Sequence, residues 1–486
     1  MRSAREVPAL RPSANSHVTA QSTPMRDNRA RVVDEGRQHG GGRDSFRGNT
    51  HEGGHSRRVL INDASFDTLS PTPHNPGAGS FSACRTGERP VKRSSRRILT
   101  THVGSLVRPP EMVEILQRKE DGTPFSDAER AILARHVADA VRMQAECGID
   151  IPSDGEYSKT GFSQYITDRL TGFELRTDLP GRGGGTARSR DRRRFPDAYR
   201  EIEGSAQNAP TSPGRPQSQM INTVCTGPIT YRGQAALQTD IANFKAALAG
   251  QGFEEAFIPA VAPGTIELQR ANHYYKTEEE FLYAIADAMK TEYKTIVDAG
   301  FIVQIDDPRM VTEYDSMDPA PSPGEYRRFA TIRIEALNHA LAGLPEDRVR
   351  YHMCWGSWHG PHTTDAPLRE IAPVILQIRA GAFSLEAANP RHEHEYHVWE
   401  DIKFPAGKII IPGVIAHTTN CVEHPELVAE RILRYARIVG RENVIAGVDC
   451  GFAQGLATAR VHPSIMWEKF RMLSEGARLA SQRLWS

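Results

Sequence analysis

The chain has 486 residues, and its 60 Lys and Arg are balanced by 60 Asp and Glu, so the formal net charge is zero. This length suits two or three domains, or one large α/β barrel with additions. The balanced charge gives no electrostatic case for a nucleic-acid partner. No apolar run reaches the ~18–20 residues that a membrane-spanning helix needs, so we predict no membrane partner either.

Residues 1–95 contain no Trp and no Tyr and are rich in Arg, Ser, Gly, His and Pro. Such a segment buries too little apolar surface to offset the entropy of ordering, so we predict a disordered, low-complexity tail. The lack of an apolar run after Met1 argues against a secretory signal. Two explanations of the tail stay open: an organelle transit peptide, although its acidic residues are unusual for one, or a start codon placed too far upstream.

Six cysteines are scattered along the chain, at positions 84, 147, 225, 354, 421 and 450. Their spacing does not resemble a disulfide framework, and no secretory signal precedes them. We therefore predict reduced thiols, some of them metal ligands, in a cytoplasmic protein.

From about residue 96, β-branched and apolar runs alternate with amphipathic helical stretches, which predicts βαβ units and a parallel sheet. The predicted helices include residues 127–147, 278–299, 323–342 and 425–439. We expect an α/β fold in which residues 96–486 form a single catalytic domain, a (β/α)₈ TIM barrel. The eight predicted strands lie in residues 98–105, 149–156, 221–228, 301–307, 349–354, 382–386, 409–417 and 444–450. A ninth run, residues 256–263, has no assigned place. An open doubly wound sheet is the alternative, but no Gly-rich phosphate fingerprint follows any strand.

Residues 179–219 interrupt this pattern with Gly-rich, Arg-rich and Pro-rich stretches. We predict a flexible, solvated insertion rather than a phosphate or polyanion site. A lid over the mouth of the barrel is the weaker alternative.

In barrel enzymes the active site lies at the carboxyl ends of the strands. Here that rule collects the following side chains: His102, Glu156, Asp306, His352, Cys354, Glu386, His417 and Cys450. His352 and Cys354 are two residues apart on one strand, so both point to the same face. Thiolate, imidazole and carboxylate are the ligands that zinc takes, usually four together. We therefore predict a zinc site of His352, Cys354, Glu386 and Cys450, against the alternative that these are ordinary core residues.

Several segments resemble the catalytic domain of cobalamin-independent methionine synthase, and the resemblance covers roughly residues 96–486. They are Thr100–Ser105, Thr226–Thr230, Gln304–Pro308, His352–Cys354, Leu385–Glu386, Pro412–Val414 with His417, and Val448–Gly451. The resemblance implies that the same four residues hold zinc. It also implies that Glu156 and Asp306 bind the amine of homocysteine, that Val103, Gly104 and Ser105 contact the substrate, and that His417 donates a proton.

The expected activity is a zinc-dependent transfer of a methyl group to a thiol, with homocysteine giving methionine. A thiol bound to the cation is deprotonated, and the thiolate is the nucleophile. The expected partners are a small-molecule thiol and a methyl donor, either methyltetrahydrofolate or a methylcorrinoid carrier. A folate donor is weakened because the chain has no residues for the family's second, N-terminal barrel, and because Gln234 aligns with the Trp that stacks on folate.

Two other functions remain open. One is a zinc-dependent alkyl transfer to another thiol, as in the related epoxyalkane:coenzyme M transferases, and the other is a non-catalytic, zinc-stabilised binding barrel. The histidine-rich run His392–His397 suggests a second metal cluster, but neighbouring residues cannot all face one ion. We interpret the run as a solvated loop, with a role at the rim of the pocket as the alternative. His359 and His362 lie close in sequence to Trp355 and Trp358 and are interpreted as packing or rim residues.

Overall fold

A computed structural model describes residues 92–120, 124–176, 178–179, 182, 188–204, 223–456 and 459–486. Of the predicted tail, residues 1–91 lie outside this range. Residues 92–95 lie inside it, and there Ser94 is fully buried and its hydroxyl donates to the carbonyl of Val444 at 2.5 Å. Ser94 therefore packs against the residue that precedes β10.

Ten strands lie within the described part of the chain. They are β1 (Leu99–Thr100), β2 (Phe173–Leu175), β3 (Thr223–Cys225), β4 (Phe257–Val261), β5 (Ala271–Asn272), β6 (Ile302–Asp306), β7 (Val349–His352), β8 (Ala382–Glu386), β9 (Ile409–Ile415) and β10 (Ile445–Val448). Seven of them form a parallel sheet in the order β1-β10-β9-β8-β7-β6-β4, and β2, β3 and β5 form a separate small sheet.

Fourteen α-helices are described in the same ranges. They are α1 (Pro110–Glu120), α2 (Asp127–Glu146), α3 (Ile166–Arg169), α4 (Arg190–Arg194), α5 (Pro196–Gly204), α6 (Gln234–Leu248), α7 (Pro263–Gln269), α8 (Glu278–Asp298), α9 (Pro308–Ser316), α10 (Pro323–Ala340), α11 (Leu368–Ile375), α12 (Val398–Asp401), α13 (Pro425–Val439) and α14 (Pro463–Leu484). The predicted helices at 127–147, 278–299, 323–342 and 425–439 are confirmed. Both α2 and α10 begin with a capping box, in which a Ser side chain and a Glu three residues later satisfy free backbone amides.

The strand assignment needs two corrections. The predicted second strand, residues 149–156, forms only an isolated parallel bridge between Ile151 and Thr101. The predicted third strand, residues 221–228, contains only the short β3, which lies in the small sheet. The unassigned run 256–263 instead supplies β4, which pairs in parallel with β6 over five residues. All five residues of β4 are buried, as expected of a strand covered on both faces, whereas Thr223 of β3 is only half-buried.

The seven-stranded sheet is curved, since side chains on strands that are not neighbours meet across its inner face. Arg350 of β7 donates to the carbonyl of His102, just after β1, at 2.6 Å, and to the hydroxyl of Thr101 at 3.0 Å. Residues from β1, β4, β6, β8, β9 and β10 also share one buried apolar cluster. The coarse prediction of an α/β fold around a parallel sheet is therefore confirmed.

The predicted insertion, residues 179–219, contains the helices α4 and α5 in its described part. Asp191 of α4 is buried and accepts hydrogen bonds from the backbone N–H of Thr363 at 3.0 Å and from the hydroxyl of Tyr199 at 3.0 Å. These contacts join α4 to the loop that follows β7. None of the described helices is both long enough and apolar enough to cross a bilayer.

Candidate metal and substrate site

Three predicted metal ligands meet at the carboxyl end of the sheet. His352 is the last residue of β7, Cys354 follows two residues later, and Cys450 follows β10 by two residues. One ligand atom from each lies within 4.8 Å of the other two, and the two sulfur atoms are 3.5 Å apart. All three side chains are buried. This is the spacing of atoms that can share one ion.

Of the two ring nitrogens of His352, only one has a hydrogen-bond partner among the described residues. Nδ1 lies 3.3 Å from the hydroxyl of Ser384 on β8, while Nε2 is buried and makes no hydrogen bond to any residue in the described ranges. Burial, helped by the charge of Arg350, lowers the pKa of His352 to about 3, so the ring is neutral at physiological pH. A neutral imidazole with a free, buried nitrogen is the form that binds a metal.

The cysteines are buried and share a hydrogen bond. The side-chain hydrogen bond with Cys450, together with burial, raises the pKa of the Cys354 thiol well above its ordinary value. A neighbouring cation would favour the thiolate form of both cysteines, because it stabilises the deprotonated sulfur.

The fourth predicted ligand, Glu386, ends β8 and is also buried, but its carboxylate is not among the three groups within 4.8 Å of one another. Its oxygens accept hydrogen bonds from the backbone N–H of Trp355 and from the side-chain amide of Asn389, both at 2.8 Å. Burial raises the pKa of Glu386. The charge of Glu386 also contributes to the raised pKa of Cys354, so the carboxylate lies near the sulfur pair without joining it.

Glu156 and Asp306 form a second group, of two buried carboxylates. Burial and the nearby charge of Glu156 raise the pKa of Asp306 well above its usual value. Oε2 of Glu156 is buried without a hydrogen-bond partner in the part of the chain described, and Glu156 has a left-handed backbone with φ of 57°. Two neighbouring carboxylates that lack full compensation are suited to bind a cationic group.

Lys159 is a member of this group that the sequence did not point to. Its positive charge lowers the pKa of Asp306 and partly offsets the raised pKa of Asp154, which is about 6 because of burial. Its ammonium group donates to the carbonyl of Pro259 at 2.5 Å. Lys159 follows Glu156 by three residues, a spacing that could have suggested it.

The predicted substrate-contacting turn Val103–Ser105 is linked to Asp306. Nε2 of Gln304 donates both to the carbonyl of Val103 and, at 2.7 Å, to Oδ1 of Asp306. Gly104 has φ of 131°, and a Cβ at this position would lie 2.5 Å from Cγ of Pro259, so only glycine fits. The hydroxyl of Ser105 accepts a long hydrogen bond from the backbone N–H of Ala453, at 3.4 Å.

His417 follows β9 and is buried, with Nε2 2.6 Å from the hydroxyl of Ser357. Its Nδ1 is buried with no hydrogen-bond partner among the described residues. Burial and nearby positive groups, Arg460 first among them, lower the pKa of His417 well below its ordinary value. The imidazole is therefore neutral, with one nitrogen available to a ligand.

Asp449 organises the loop after β8, a role that its position in the chain did not reveal. Its Oδ1 accepts from the backbone N–H groups of Ala387 and Ala388 at 2.8 and 2.9 Å. Asp449 directly precedes Cys450, and Ala387 and Ala388 directly follow Glu386, so these hydrogen bonds link the ends of β10 and β8.

Other candidate side chains lie elsewhere or in different surroundings. His102 is buried in the interior, with Nε2 2.7 Å from Oε1 of Gln144, and serves packing. The five cysteines that the structure describes are all free, and Cys421 alone of these is exposed. The run His392–His397 is not uniformly solvated as interpreted above: His397 is exposed, but His392 is buried at 4% exposure.

A parallel-sheet α/β fold with a buried cluster of one imidazole and two thiols at its carboxyl edge defines a class, that of proteins with a candidate transition-metal site suited to thiol chemistry. Comparison with known proteins narrows the class. Residues 263–465 match the family model described as the catalytic domain of cobalamin-independent synthase. The matched residues include His352, Cys354, Glu386 and Cys450, as well as Asp306 and His417.

Individual relatives agree with this match. The chain is 23% identical over 356 residues to a methionine synthase of Thermococcus kodakarensis, covering 72% of this chain and 86% of that protein. It is 24% identical over 358 residues to a 5-methyltetrahydropteroyltriglutamate–homocysteine methyltransferase of Thermotoga sp. strain RQ2, covering 72% of this chain but only 41% of that protein. The solved structure of a B12-independent methionine synthase from Shewanella sp. W3-18-1 shares the fold, with a TM-score of 0.57, 18% identity, and coverage of 80% of this chain and 99% of that one.

The chain is therefore similar, most clearly over residues 263–465, to the catalytic domain of cobalamin-independent methionine synthases, as the motifs of the sequence indicated.

Proposed function

We propose that the chain is a zinc-dependent methyltransferase that methylates a thiol, with homocysteine as substrate and methionine as product. The observation that carries the proposal is the buried cluster of His352, Cys354 and Cys450, with its sulfur atoms 3.5 Å apart at the carboxyl edge of the sheet. The family match and the names of the relatives support the same activity.

The donor set suits zinc. Two thiols and an imidazole are ligands that zinc binds at tetrahedral sites, and the open Nε2 of His352 is a buried polar atom that otherwise costs free energy. When bound, zinc would keep the thiol of the substrate deprotonated and nucleophilic. Three ligands from this cluster leave one position for Glu386 or for the substrate. Because both Glu386 oxygens already accept hydrogen bonds, we assign Glu386 to the position that the substrate displaces.

The carboxylates of Glu156 and Asp306 would bind the ammonium group of homocysteine. An added cation relieves the repulsion between the two carboxylates and gives Oε2 of Glu156 a partner. Lys159 already supplies one positive charge there, so the ammonium would complete the balance of charge. Holding the amine fixes the position of the thiol relative to the metal cluster, which lowers the entropy cost of the reaction.

His417 would act on the donor side. Because burial keeps the imidazole neutral, it holds one N–H, and the hydroxyl of Ser357 can fix which nitrogen carries it. A neutral imidazole can donate a hydrogen bond to a leaving group that gains negative charge as the methyl group departs. Transfer of a proton would require the imidazolium form, which a negative charge on the bound donor would favour.

We also propose that the sheet closes into the full eight-stranded barrel expected from the sequence. The segment 150–152 supports this, since it bonds to both edges of the sheet. The N–H of Ile151 donates to the carbonyl of Thr100 in β1 at 3.1 Å. The N–H of Phe257 in β4 donates to the carbonyl of Pro152 at 3.0 Å. This short stretch would take the place of the eighth strand.

The methyl donor is the open part of the proposal. The chain spans 41% of the Thermotoga relative whose name includes a folate donor, so that donor is not carried over from the name alone. Because Gln234 stands where the resemblance places the Trp that stacks on folate, we propose a methylcorrinoid carrier over the triglutamyl folate. A cytoplasmic location remains part of the proposal.

The test is an assay of the purified full chain with its zinc content measured. Homocysteine is offered with methyltetrahydrofolate, with its triglutamate form, or with methylcobalamin, and methionine is quantified by mass spectrometry. We expect zinc-dependent methionine formation with methylcobalamin at the highest rate. No methionine from any donor, combined with alkylation of another thiol such as coenzyme M by an epoxide, would instead establish the alkyltransferase function.

A further inference from the structure

A second cluster of metal-ligand types lies outside the site described above. Nδ1 of His362 is 2.7 Å from Oδ2 of Asp365, and Nε2 of His392 is 3.0 Å from the same oxygen. Together these three ligand atoms lie within 4.8 Å of one another. His362 and Asp365 come from the loop after β7 and His392 from the loop after β8, so the cluster joins two loops.

The outer nitrogen of each imidazole is anchored separately. Nε2 of His362 lies 3.1 Å from the carbonyl of Trp358, and Nδ1 of His392 lies 2.7 Å from a carboxylate oxygen of Glu395. Metal-binding histidines commonly donate their second ring N–H to a carbonyl or a carboxylate in this way, which fixes the ring and leaves the other nitrogen for the ion.

This pattern creates a need for positive charge. If each imidazole donates from its anchored nitrogen and is neutral, its inner nitrogen presents a lone pair to the lone pairs of Asp365. The arrangement is then repulsive unless positive charge lies between the three groups. Two protons, one on each inner nitrogen, supply it, and so does a single divalent cation with the same total charge.

The surroundings hold the three groups in place. The ring of His392 stacks on Trp355 at 3.7 Å between centroids, and that of His362 stacks on Trp358 at 4.7 Å, both at interplanar angles of 14°. His362 has φ of 56°, a left-handed conformation that costs about 1–2 kcal/mol in a residue with a side chain. Such backbone conformations persist at sites where a side chain must be aimed at a ligand.

We propose that His362, Asp365 and His392 bind a divalent transition-metal ion at a second site, separate from the cysteine-containing cluster. Two imidazoles and one carboxylate suit zinc and the other first-row divalent ions, and disfavour calcium and magnesium, which prefer oxygen ligands. Ligand atoms around a zinc-sized ion are roughly 3–3.5 Å apart. The two nitrogen-to-oxygen distances, 2.7 and 3.0 Å, are within a few tenths of an ångström of this range.

This ion would connect the two loops that flank Cys354 and Glu386. Trp355 stacks on His392, and the backbone N–H of Trp355 donates to Glu386. An ion in the cluster would therefore stabilise the position of the Glu386 carboxylate. The role is structural, because the described contacts leave the cluster buried, with His362 and His392 each 4% exposed.

The test separates the two sites by their ligands. The wild-type protein, the double variant Cys354→Ser/Cys450→Ser and the variant His392→Gln are stripped of metal, reloaded with zinc, and their bound metal is measured by mass spectrometry. We expect about two equivalents for the wild type and about one for each of the two variants. His397→Gln changes an exposed histidine five residues from His392, and as the matched control it should retain about two.

Cobalt(II) gives a readout that does not depend on activity. Only the cysteine cluster can produce a thiolate-to-cobalt charge-transfer band, so the second equivalent should bind to the wild type without adding to that band. Zinc should also raise the Tm of the double cysteine variant by a few degrees, because a ligand that binds only the folded state stabilises it. The same addition should leave Tm unchanged when His392→Gln is added to that background.

The proposal is overturned if the wild type holds one equivalent, or if the second equivalent persists equally in His392→Gln. The three side chains would then form a protonated hydrogen-bond network. Because the double cysteine variant removes the first site, these outcomes do not depend on whether the methyltransferase proposal is correct.

Discussion

Asp306 of β6 and His352 of β7 are paired in register, the last residue of each strand beside the other. In a parallel sheet, side chains at paired positions point to the same face, so the proposed amine-binding group and the proposed metal cluster start from adjacent positions. The pairing continues across the sheet from His352 to Ser384 of β8, whose hydroxyl lies near Nδ1 of His352. A small substrate with an amine at one end and a thiol at the other matches this arrangement.

We therefore predict that Asp306→Asn raises the KM for homocysteine with zinc content unchanged. Loss of a hydrogen bond between charged groups costs about 1.5–3 kcal/mol, which corresponds to a rise of roughly 10- to 100-fold. The measurement is steady-state kinetics with metal analysis of the same samples. A homocysteine analogue without the amino group provides the control, because the wild type and the variant should use it equally poorly. Loss of zinc from Asp306→Asn would show that this carboxylate serves the metal cluster instead.

The two cysteines of the cluster should be indispensable for zinc. Loss of a residue that hydrogen-bonds to a metal ligand lowers metal affinity by roughly 10- to 100-fold. We predict that Cys450→Ser, which removes a ligand itself, lowers zinc affinity by more than this and abolishes methyl transfer. Cys421→Ser is the matched control, since Cys421 is free and exposed and should change neither property. Competition with a chelator measures the affinity. Wild-type zinc affinity in Cys450→Ser would remove this residue from the ligand set.

The sequence predicted most elements of the fold because their signals are local. The helices α2 and α10 carry capping boxes that can be recognised within four residues, and their boundaries were predicted to within about two residues. The predicted sheet was wrong for β3 and missing for β4, because apolar runs do not specify which sheet a strand joins. The run that forms β4 contains Pro259, which lacks an N–H and weakens the pattern of an interior strand.

The site was predictable where topology alone brings residues together. His352 and Cys450 follow strands of one parallel sheet, so their convergence follows from the carboxyl-end rule. The contacts of His392 with Asp365, and of His417 with Ser357, depend instead on the paths of loops whose conformation is not encoded in any short pattern. For that reason the sequence assigned the His392–His397 run to a solvated loop, although its first residue is buried.

His102 should make stability depend on pH. Burial lowers its pKa to about 3, with the hydrogen bond that Nε2 donates to Oε1 of Gln144 opposing the shift and the charge of Arg350 adding to it. The unfolded chain has the ordinary pKa of about 6.5 and binds the proton first, so the free energy of unfolding falls as the pH drops from about 6.5 toward 3. The contribution of His102 is fully present above pH 6.5.

We predict that His102→Gln flattens this dependence by about 1.4 kcal/mol per pH unit between pH 6 and pH 4, while lowering stability at neutral pH. Urea unfolding at a series of pH values measures the slope for both proteins. His397→Gln offers a control, because His397 is exposed. Parallel curves for the wild type and His102→Gln would mean that the imidazole is protonated in the folded protein.

Gly104 should be irreplaceable for two separate reasons, its backbone conformation and its contact with Pro259. We predict that Gly104→Ala destabilises the protein by about 1–3 kcal/mol and also reduces activity, since the turn that it shapes is joined through Gln304 to Asp306. Gly300→Ala isolates the backbone part of the effect. Gly300 has φ of 95°, but a Cβ there would meet no atom within 4 Å. That variant should lose about 1 kcal/mol and keep full activity. Thermal unfolding measures the stability of the two variants, and initial rates measure their activity. Equal losses of stability would show that the contact with Pro259 does not matter, and equal losses of activity would show that the turn does not position the substrate.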